Sequence, residues 1–367
     1  RMGRTMLITF IGGGNMASAL ISGLVNPPRS DLRIRVVDPD DAARDRLHTT
    51  FGLSVFTDRE AIAAVDGADV ILLAIKPQTM QQVLDQLRGR MAPGQLVLSI
   101  AAGTTIERIR ASLGDEVAVV RSMPNTPALV GHGITGVVAS DNCSREQRMQ
   151  AQEILEAAGE VVWLNDESLM DAITAISGTG PAYFFLLAEA LAEAARSMGL
   201  PAETADRLAS VTCFGAGAML ASSPGEAAEL RRRVTSPGGT TEAAMRVMSD
   251  GRFRALLARA ALMILLAAVA DAMVVAVSIC RRPGSQVVAA GSAMFRSSAA
   301  PTPLTSRTRL PPPSSNVYSA CRPVLTRGLT AESTCRVAAP LTALPDALLT
   351  RALKVAPLSS SAAAGIV

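Results

Sequence analysis

Aromatic side chains are scarce in this chain, at 3% of 367 residues, and no stripe interleaves them with basic ones. Single-stranded nucleic acid needs aromatic faces beside a basic groove, so nucleic acid is excluded as a partner. Histidine is scarcer still, with His48 and His132 alone. The five cysteines, Cys143, Cys213, Cys280, Cys321 and Cys335, contain no Cys-x-x-Cys pair. With two histidines beside them they make no metal site, and reduced thiols in a cytoplasmic protein are expected. Lysine occurs only at Lys76 and Lys354, so any chemistry that needs a lysine has few places to find one.

A net charge of +3 argues for no partner by itself. The basic excess sits in the last third, where residues 281–367 hold only Glu332 and Asp346 as acids. A hydrophobic fraction of 49% with both signs of charge is ordinary for a soluble globular protein of two or three domains. No secretory leader is expected, because the first apolar run is a strand leading directly into a glycine turn.

From Met6 to about Leu164 the pattern is that of a dinucleotide-binding domain. The run Leu7 to Ile11 is followed by Gly12-Gly13-Gly14-Asn15-Met16-Ala17 and an amphipathic helix through Leu24. Strand, tight turn and helix are the context in which Gly-x-Gly-x-x-Ala carries meaning: Gly12 turns, Gly14 admits a pyrophosphate, and Ala17 lets helix and strand pack closely. A second strand, Arg33 to Val37, ends at Asp38, where such folds place the residue that meets the adenosine ribose. An acid there accepts from the 2′-hydroxyl of NAD and repels the 2′-phosphate of NADP. Arg44, a turn into the next helix, is a possible phosphate partner, and Asp38 can equally be a solvated strand end or cap.

Further apolar strands are expected over Asp69 to Ile75, running into Lys76-Pro77, and over Gln95 to Ile100, running into Ala101-Ala102-Gly103. Continuous apolar runs separated by helices indicate a parallel sheet covered on both faces, with its ligand beyond the carboxyl ends of the strands. Lys76, Pro77, Ala101, Ala102 and Gly103 therefore fall on the cofactor side. Another strand, Val117 to Arg121, precedes Met123-Pro124-Asn125-Thr126-Pro127, a loop too rich in proline to be helical. Its Asn125 and Thr126 are either polar contacts near the nicotinamide or turn chemistry.

From Asn165 strand patterns vanish and helical ones replace them. Glu167 to Ile176 leads into Ser177-Gly178-Thr179-Gly180-Pro181, and Ala182 to Met198 reads as one long helix with Pro181 in its first turn. A second glycine-bearing helix entrance lies at Thr235 to Ala243, Thr-Ser-Pro-Gly-Gly-Thr-Thr-Glu-Ala. Its free N–H groups and positive dipole end suit a small carboxylate, although an ordinary capped helix start has the same composition. Two such entrances facing a nicotinamide would clamp a compact anion. The run Arg231-Arg232-Arg233 reads as a solvated face, since consecutive helical residues point in different directions.

Phe10 to Met16, Lys76-Pro77, Ser99 to Gly103, Met123 to Ala128, Ser177 to Tyr183 and Ser236 to Thr241, in that order, resemble the pyrroline-5-carboxylate reductase family. The resemblance covers Met6 to about Leu257. It implies an α/β protein with an N-terminal Rossmann domain over 6–164 and an all-helical dimerisation domain over 165–258, the active site being completed across an interleaved homodimer that often assembles further. The implied reaction is reduction of 1-pyrroline-5-carboxylate to L-proline, the last step of proline biosynthesis, by hydride from NADPH, with NADH also possible.

The same resemblance implies cofactor contacts at Gly12, Gly13, Gly14, Asn15, Met16, Lys76, Pro77, Ala101, Ala102 and Gly103, with Asn125 near the nicotinamide. It implies substrate contacts at Ser177, Gly178, Gly180 and Pro181, and at Ser236, Gly238, Gly239 and Thr240. Thr241 would sit beside the ring nitrogen as the catalytic hydroxyl. Such a reaction needs the imine protonated, held and aligned more than it needs a strong base, so no histidine is required. A 3-hydroxyacid dehydrogenase of the same plan would need a lysine on the first helix after the Rossmann domain, and none is there. A non-catalytic dinucleotide-binding protein would need no second anion cradle.

The pattern changes near Arg259. Ala260 to Cys280 is apolar apart from Asp271, and a tail rich in Pro, Ser and Arg follows. The apolar run is long enough to cross a bilayer, but Asp271 at its centre would cost about 3 kcal/mol there, so a terminal helix without a membrane is expected. The tail cannot bury enough apolar surface to fold and is predicted to be disordered. The abrupt loss of acids and periodicity suggests a reading-frame change near Arg259.

Overall fold

The computed structural model describes residues 5–264 except Pro224. Most of the apolar run and the whole of the predicted disordered tail lie outside the described residues.

Eight strands form one sheet: β1 (Met6–Ile11), β2 (Leu32–Val37), β3 (Ser54–Phe56), β4 (Val70–Leu73), β5 (Leu96–Ser99), β6 (Ala118–Met123), β7 (Gly133–Ala139) and β8 (Gly159–Trp163), in the order β3-β2-β1-β4-β5-β6-β7-β8. Neighbours are parallel except β6 and β7, which pair antiparallel. The helices among them are α1 (Asn15–Val25), α2 (Asp41–Phe51), α3 (Ala61–Val65), α4 (Pro77–Leu87), α5 (Ile106–Leu113) and α6 (Arg145–Glu156). The order of strands reverses between β1 and β4, which is where a doubly wound sheet opens its ligand crevice.

Strand β4 shows why the central strands read as unbroken apolar runs. Val70 and Leu72 point into the core shared with α1 and α6, whereas Ile71 and Leu73 point into the opposite core with α3, α4 and α5. All four are buried because both faces of the sheet are covered. On α4, Met80, Leu84 and Leu87 recur at helical spacing and are fully buried; each stabilises the fold by roughly 1.5–3 kcal/mol.

Beyond Trp163 the described residues are helical. A 3-10 turn (Glu167–Leu169) leads through α7 (Met170–Ile173) and a π-turn (Thr174–Gly178) into α8 (Gly180–Ser197), α9 (Ala202–Ser222), α10 (Ala227–Arg233) and α11 (Thr240–Asp250). A last described helical segment runs over 253–264, so the helix crosses residue 258, where the sequence pattern set the end of the helical domain. Expected helical, Glu167 to Ile176 is instead split into 3-10, α and π turns, because Thr179 N–H reaches back to the carbonyl of Thr174 at 2.9 Å. The proline-rich loop also differs from expectation: Thr126–Val130 is a 3-10 turn, which Pro127 suits at its start.

Candidate active site

At the carboxyl end of β1, Gly12 N–H donates to the carbonyl of Val37 at 2.7 Å. Its φ is +103°, and a Cβ there would lie 2.4 Å from the carbonyl oxygen of Ala74. Glycine is therefore required twice over, by conformation and by the close approach of the chain leaving β4. Gly14 is the N-cap of α1, with no side chain capping the helix, and a Cβ there would meet nothing within 4 Å. The first N–H groups of α1 thus face an open crevice at the switch point, a cradle that fits the diphosphate of a dinucleotide. Asn15 is exposed beside it and Met16 is half-buried.

Asp38 closes the other side of the turn. Its Oδ2 accepts the N–H of Gly13 at 2.6 Å and its Oδ1 accepts the N–H of Asp40 at 2.9 Å. Arg44, considered from the sequence as a phosphate partner, donates to the carbonyl of Asp38 at 2.6 Å and pairs with Asp41. Arg46, which the sequence did not single out, reaches the carbonyl of Gly13 at 3.2 Å. Charge at this end of the crevice is therefore mixed.

Lys76 caps α4 and is exposed, with Pro77 at the first helical position. Ala101 is buried, whereas Ala102 and Gly103 are exposed in the turn after β5, where Gly103 takes φ +68°. These residues stand at the carboxyl ends of β4 and β5, on the same edge of the sheet as Gly12 to Met16.

Asn125 is buried, and both ends of its amide are engaged. Oδ1 accepts the N–H of Ile134 at 2.9 Å, and Nδ2 donates to the carbonyl of Ser177 at 3.2 Å. The loop after β6 is thereby tied to the π-turn at the first helix entrance. Ser177 donates its own hydroxyl to the carbonyl of Ile173. Gly178 packs against Met123 so closely that a Cβ on the glycine would lie 2.7 Å from Met123 Cε. Gly180 is buried and Pro181 half-buried at the start of α8. Thr179 Oγ1 donates to the carbonyl of Ala175 at 2.9 Å and meets the Tyr183 hydroxyl at 3.1 Å, which holds the turn shut.

The second entrance lies elsewhere on the chain. Gly238 adopts φ +70°, and Gly239 is the N-cap of α11 with no hydroxyl capping it. Ser236, Gly238 and Thr240 are exposed and Thr241 is half-buried. Among the described residues, no hydrogen bond or ion pair joins 226–264 to the sheet. Within one chain Asn125 and Met123 meet Ser177 and Gly178, whereas no hydrogen bond or ion pair among the described residues ties Ser236 to Thr241 to either. The helices carry exposed apolar side chains, with Phe185 on α8 67% exposed and Phe214 on α9 71% exposed, a surface of the kind that marks an interaction site.

A glycine turn and uncapped helix at the switch point of a doubly wound sheet, with a helical arm tied to the same edge, define a two-domain dinucleotide-dependent oxidoreductase. Comparison with known proteins narrows this. The family described as NADP oxidoreductase coenzyme F420-dependent matches residues 7–103, and the family described as pyrroline-5-carboxylate reductase dimerisation matches residues 167–271. The chain is 46% identical over 257 residues to a pyrroline-5-carboxylate reductase of Pseudomonas aeruginosa, covering 70% of this chain and 93% of that one. It is 43% identical to the Haemophilus influenzae enzyme of the same name, covering 67% and 90%. A solved pyrroline-5-carboxylate reductase from Coxiella burnetii superposes with a TM-score of 0.68 at 38% identity, covering 72% and 98%. The Plasmodium falciparum pyrroline carboxylate reductase, solved with NADP bound, gives 0.63 at 26% identity, covering 72% and 98%. The chain belongs to the pyrroline-5-carboxylate reductase family.

Besides Arg46, two further contacts were not singled out from the sequence. The pairing of Arg121 with Glu167 had one signal, a charge inside the otherwise apolar run of β6. The contact of Gly238 N–H with Glu242 had another, an acid in the first turn of α11.

Proposed function

We propose that the chain reduces 1-pyrroline-5-carboxylate to L-proline with NADPH as the hydride donor and NADH as an alternative. The observation that carries this reading is spatial: Gly12 to Met16, Lys76-Pro77 and Ala101 to Gly103, far apart in sequence, converge on one edge of the sheet around the β1/β4 crevice. Free N–H groups of α1 hold the diphosphate beside Gly14, and Asp38 faces the ribose. When bound, the reduced nicotinamide supplies the hydride.

The chain's own residues bind and align the imine. Ser177, Gly178, Gly180 and Pro181 form one wall of its site, with Asn125 holding that wall to the nicotinamide-side loop. Backbone donors at Ser236, Gly238, Gly239 and Thr240 take the carboxylate, and the Thr241 hydroxyl holds the proton at the ring nitrogen. Because the two entrances are not joined within one chain, the second is supplied by another copy, and the bare faces of α8 and α9 bury one another in a homodimer. The helical run 167–197 is apolar and long enough to cross a membrane by length and composition; we read that apolarity as dimer surface. We divide the chain at 164/165, since β8 ends at Trp163 and helices follow.

The test is incubation of the purified full chain with pyrroline-5-carboxylate and each nicotinamide, following cofactor oxidation and proline formation. Substrate-dependent oxidation with stoichiometric proline is expected. Absence of both with either nicotinamide rejects the reading.

A further inference from the structure

Arg121 lies on β6 with its side chain only 7% exposed. Its Nη1 donates to Oε1 of Glu167 at 2.8 Å, and the same oxygen accepts the N–H of Ile106 at 2.9 Å. Three segments therefore meet on one carboxylate oxygen. Ile106 opens α5 just after the Ala101 to Gly103 turn; Arg121 belongs to the strand that delivers Asn125; and Glu167 begins the arm that carries Ser177 to Pro181. With Arg121 buried and Glu167 partly exposed, the pair adds little net stability compared with apolar side chains of the same volume, so its contribution here is geometric. One guanidinium N–H of Arg121 and the backbone N–H of Ile106 converge on the same Oε1, which makes this junction directional.

We propose that Arg121 and Glu167 are positioning residues for hydride transfer. Their shared oxygen sets the pitch at which the helical arm leaves the sheet, and with it the separation between the Ser177 entrance and the cofactor-side loops. The inference rests on the reductase reading. The bond from Asn125 Nδ2 to the carbonyl of Ser177 is a second, independent tie, so loosening the junction shifts the arm without freeing it.

Two variants of the full chain separate geometry from charge. Glu167→Gln keeps the length and both acceptor bonds but loses the charge, whereas Glu167→Asp keeps the charge but is one methylene too short to bridge Arg121 and Ile106. Misplacement by about 1 Å can cost on the order of a hundredfold in rate. Glu167→Asp is therefore expected to lower kcat about tenfold or more, with KM for pyrroline-5-carboxylate and Kd for NADPH, read by fluorescence in the absence of substrate, held within about threefold. Hydrogen exchange at 174–180 and at the Ile106 amide should quicken in this variant. Glu167→Gln is expected to restore kcat to within about threefold of the parent, even where its thermal midpoint is lower.

The reverse order, an active Asp variant and a poor Gln variant, would mean that charge balance alone matters and would overturn the proposal. So would a fall in kcat that only tracks lost NADPH binding or lost folded protein, or unchanged kcat in both variants. If the parent chain forms no proline, the reductase reading has failed; the exchange measurement on the substrate-free chain still decides whether the junction holds the arm.

Discussion

The backbone N–H of Gly238 donates to the Glu242 carboxylate, with Oε2 2.7 Å away. An acid of the chain itself thus occupies one of the donors proposed for the substrate carboxylate, in the manner of a capping side chain reaching back over its helix start. The two carboxylates compete for that N–H. Glu242→Gln removes the competing charge and is expected to lower KM for pyrroline-5-carboxylate by about three- to tenfold with kcat little changed, as read from initial rates. An unchanged or raised KM would show that Gly238 N–H is not a substrate donor.

Gly12 and Gly14 separate folding from binding. Gly12→Ala places a methyl against the carbonyl of Ala74 in a backbone conformation that alanine disfavours, and a loss of stability of roughly 2–4 kcal/mol is expected in denaturant melts. Gly14→Ala meets no protein atom and has an ordinary φ of −69°. It should melt within about 1 kcal/mol of the parent yet bind NADPH at least about tenfold more weakly, because the methyl would enter the proposed diphosphate cradle. Normal NADPH affinity in Gly14→Ala would place the cofactor elsewhere.

At the proposed ribose end, the Asp38 carboxylate accepts the N–H of Gly13. Asp38→Asn removes a charge that repels a 2′-phosphate while leaving an acceptor for the Gly13 N–H. The ratio of kcat/KM for NADPH to that for NADH is expected to rise about tenfold, equivalent to 1.4 kcal/mol. A ratio that stays flat would take Asp38 out of ribose recognition.

Phe214 tests the assembly. It stands bare on α9, and Phe214→Glu puts a charge into the proposed interface at a cost of several kcal/mol. Light scattering should show the mass fall to that of one chain, with proline formation lost in parallel. A monomer of full activity would contradict a site completed by a second copy.

Much of this could be read from the sequence, and the exceptions have physical causes. Strands β1, β4, β5 and β6 were legible because apolar runs admit few other readings, β2 because it ends at an acid where such folds place one, and Gly12 to Met16 because a tight turn constrains its own residues. Strands β7 and β8 were not. Gly133–Ala139 begins with glycine and carries another at Gly136, while Gly159–Trp163 alternates between half-buried and exposed positions, so neither presents an apolar run. The contacts that hold the site together were also hidden. Asn125 reaches a residue 52 positions away and Arg121 one 46 positions away, and local pattern says nothing about which partner a distant packing surface will bring. The first entrance was legible as glycine and proline spacing, but its π-turn depends on a bond back to Thr174 that no short motif encodes.

The most direct test follows the transferred atom. With NADPH carrying deuterium at the transferable C4 position, the full chain should convert pyrroline-5-carboxylate to L-proline bearing one deuterium at the former imine carbon. Proline without the label, or label lost to solvent with no proline formed, would contradict hydride transfer at this site.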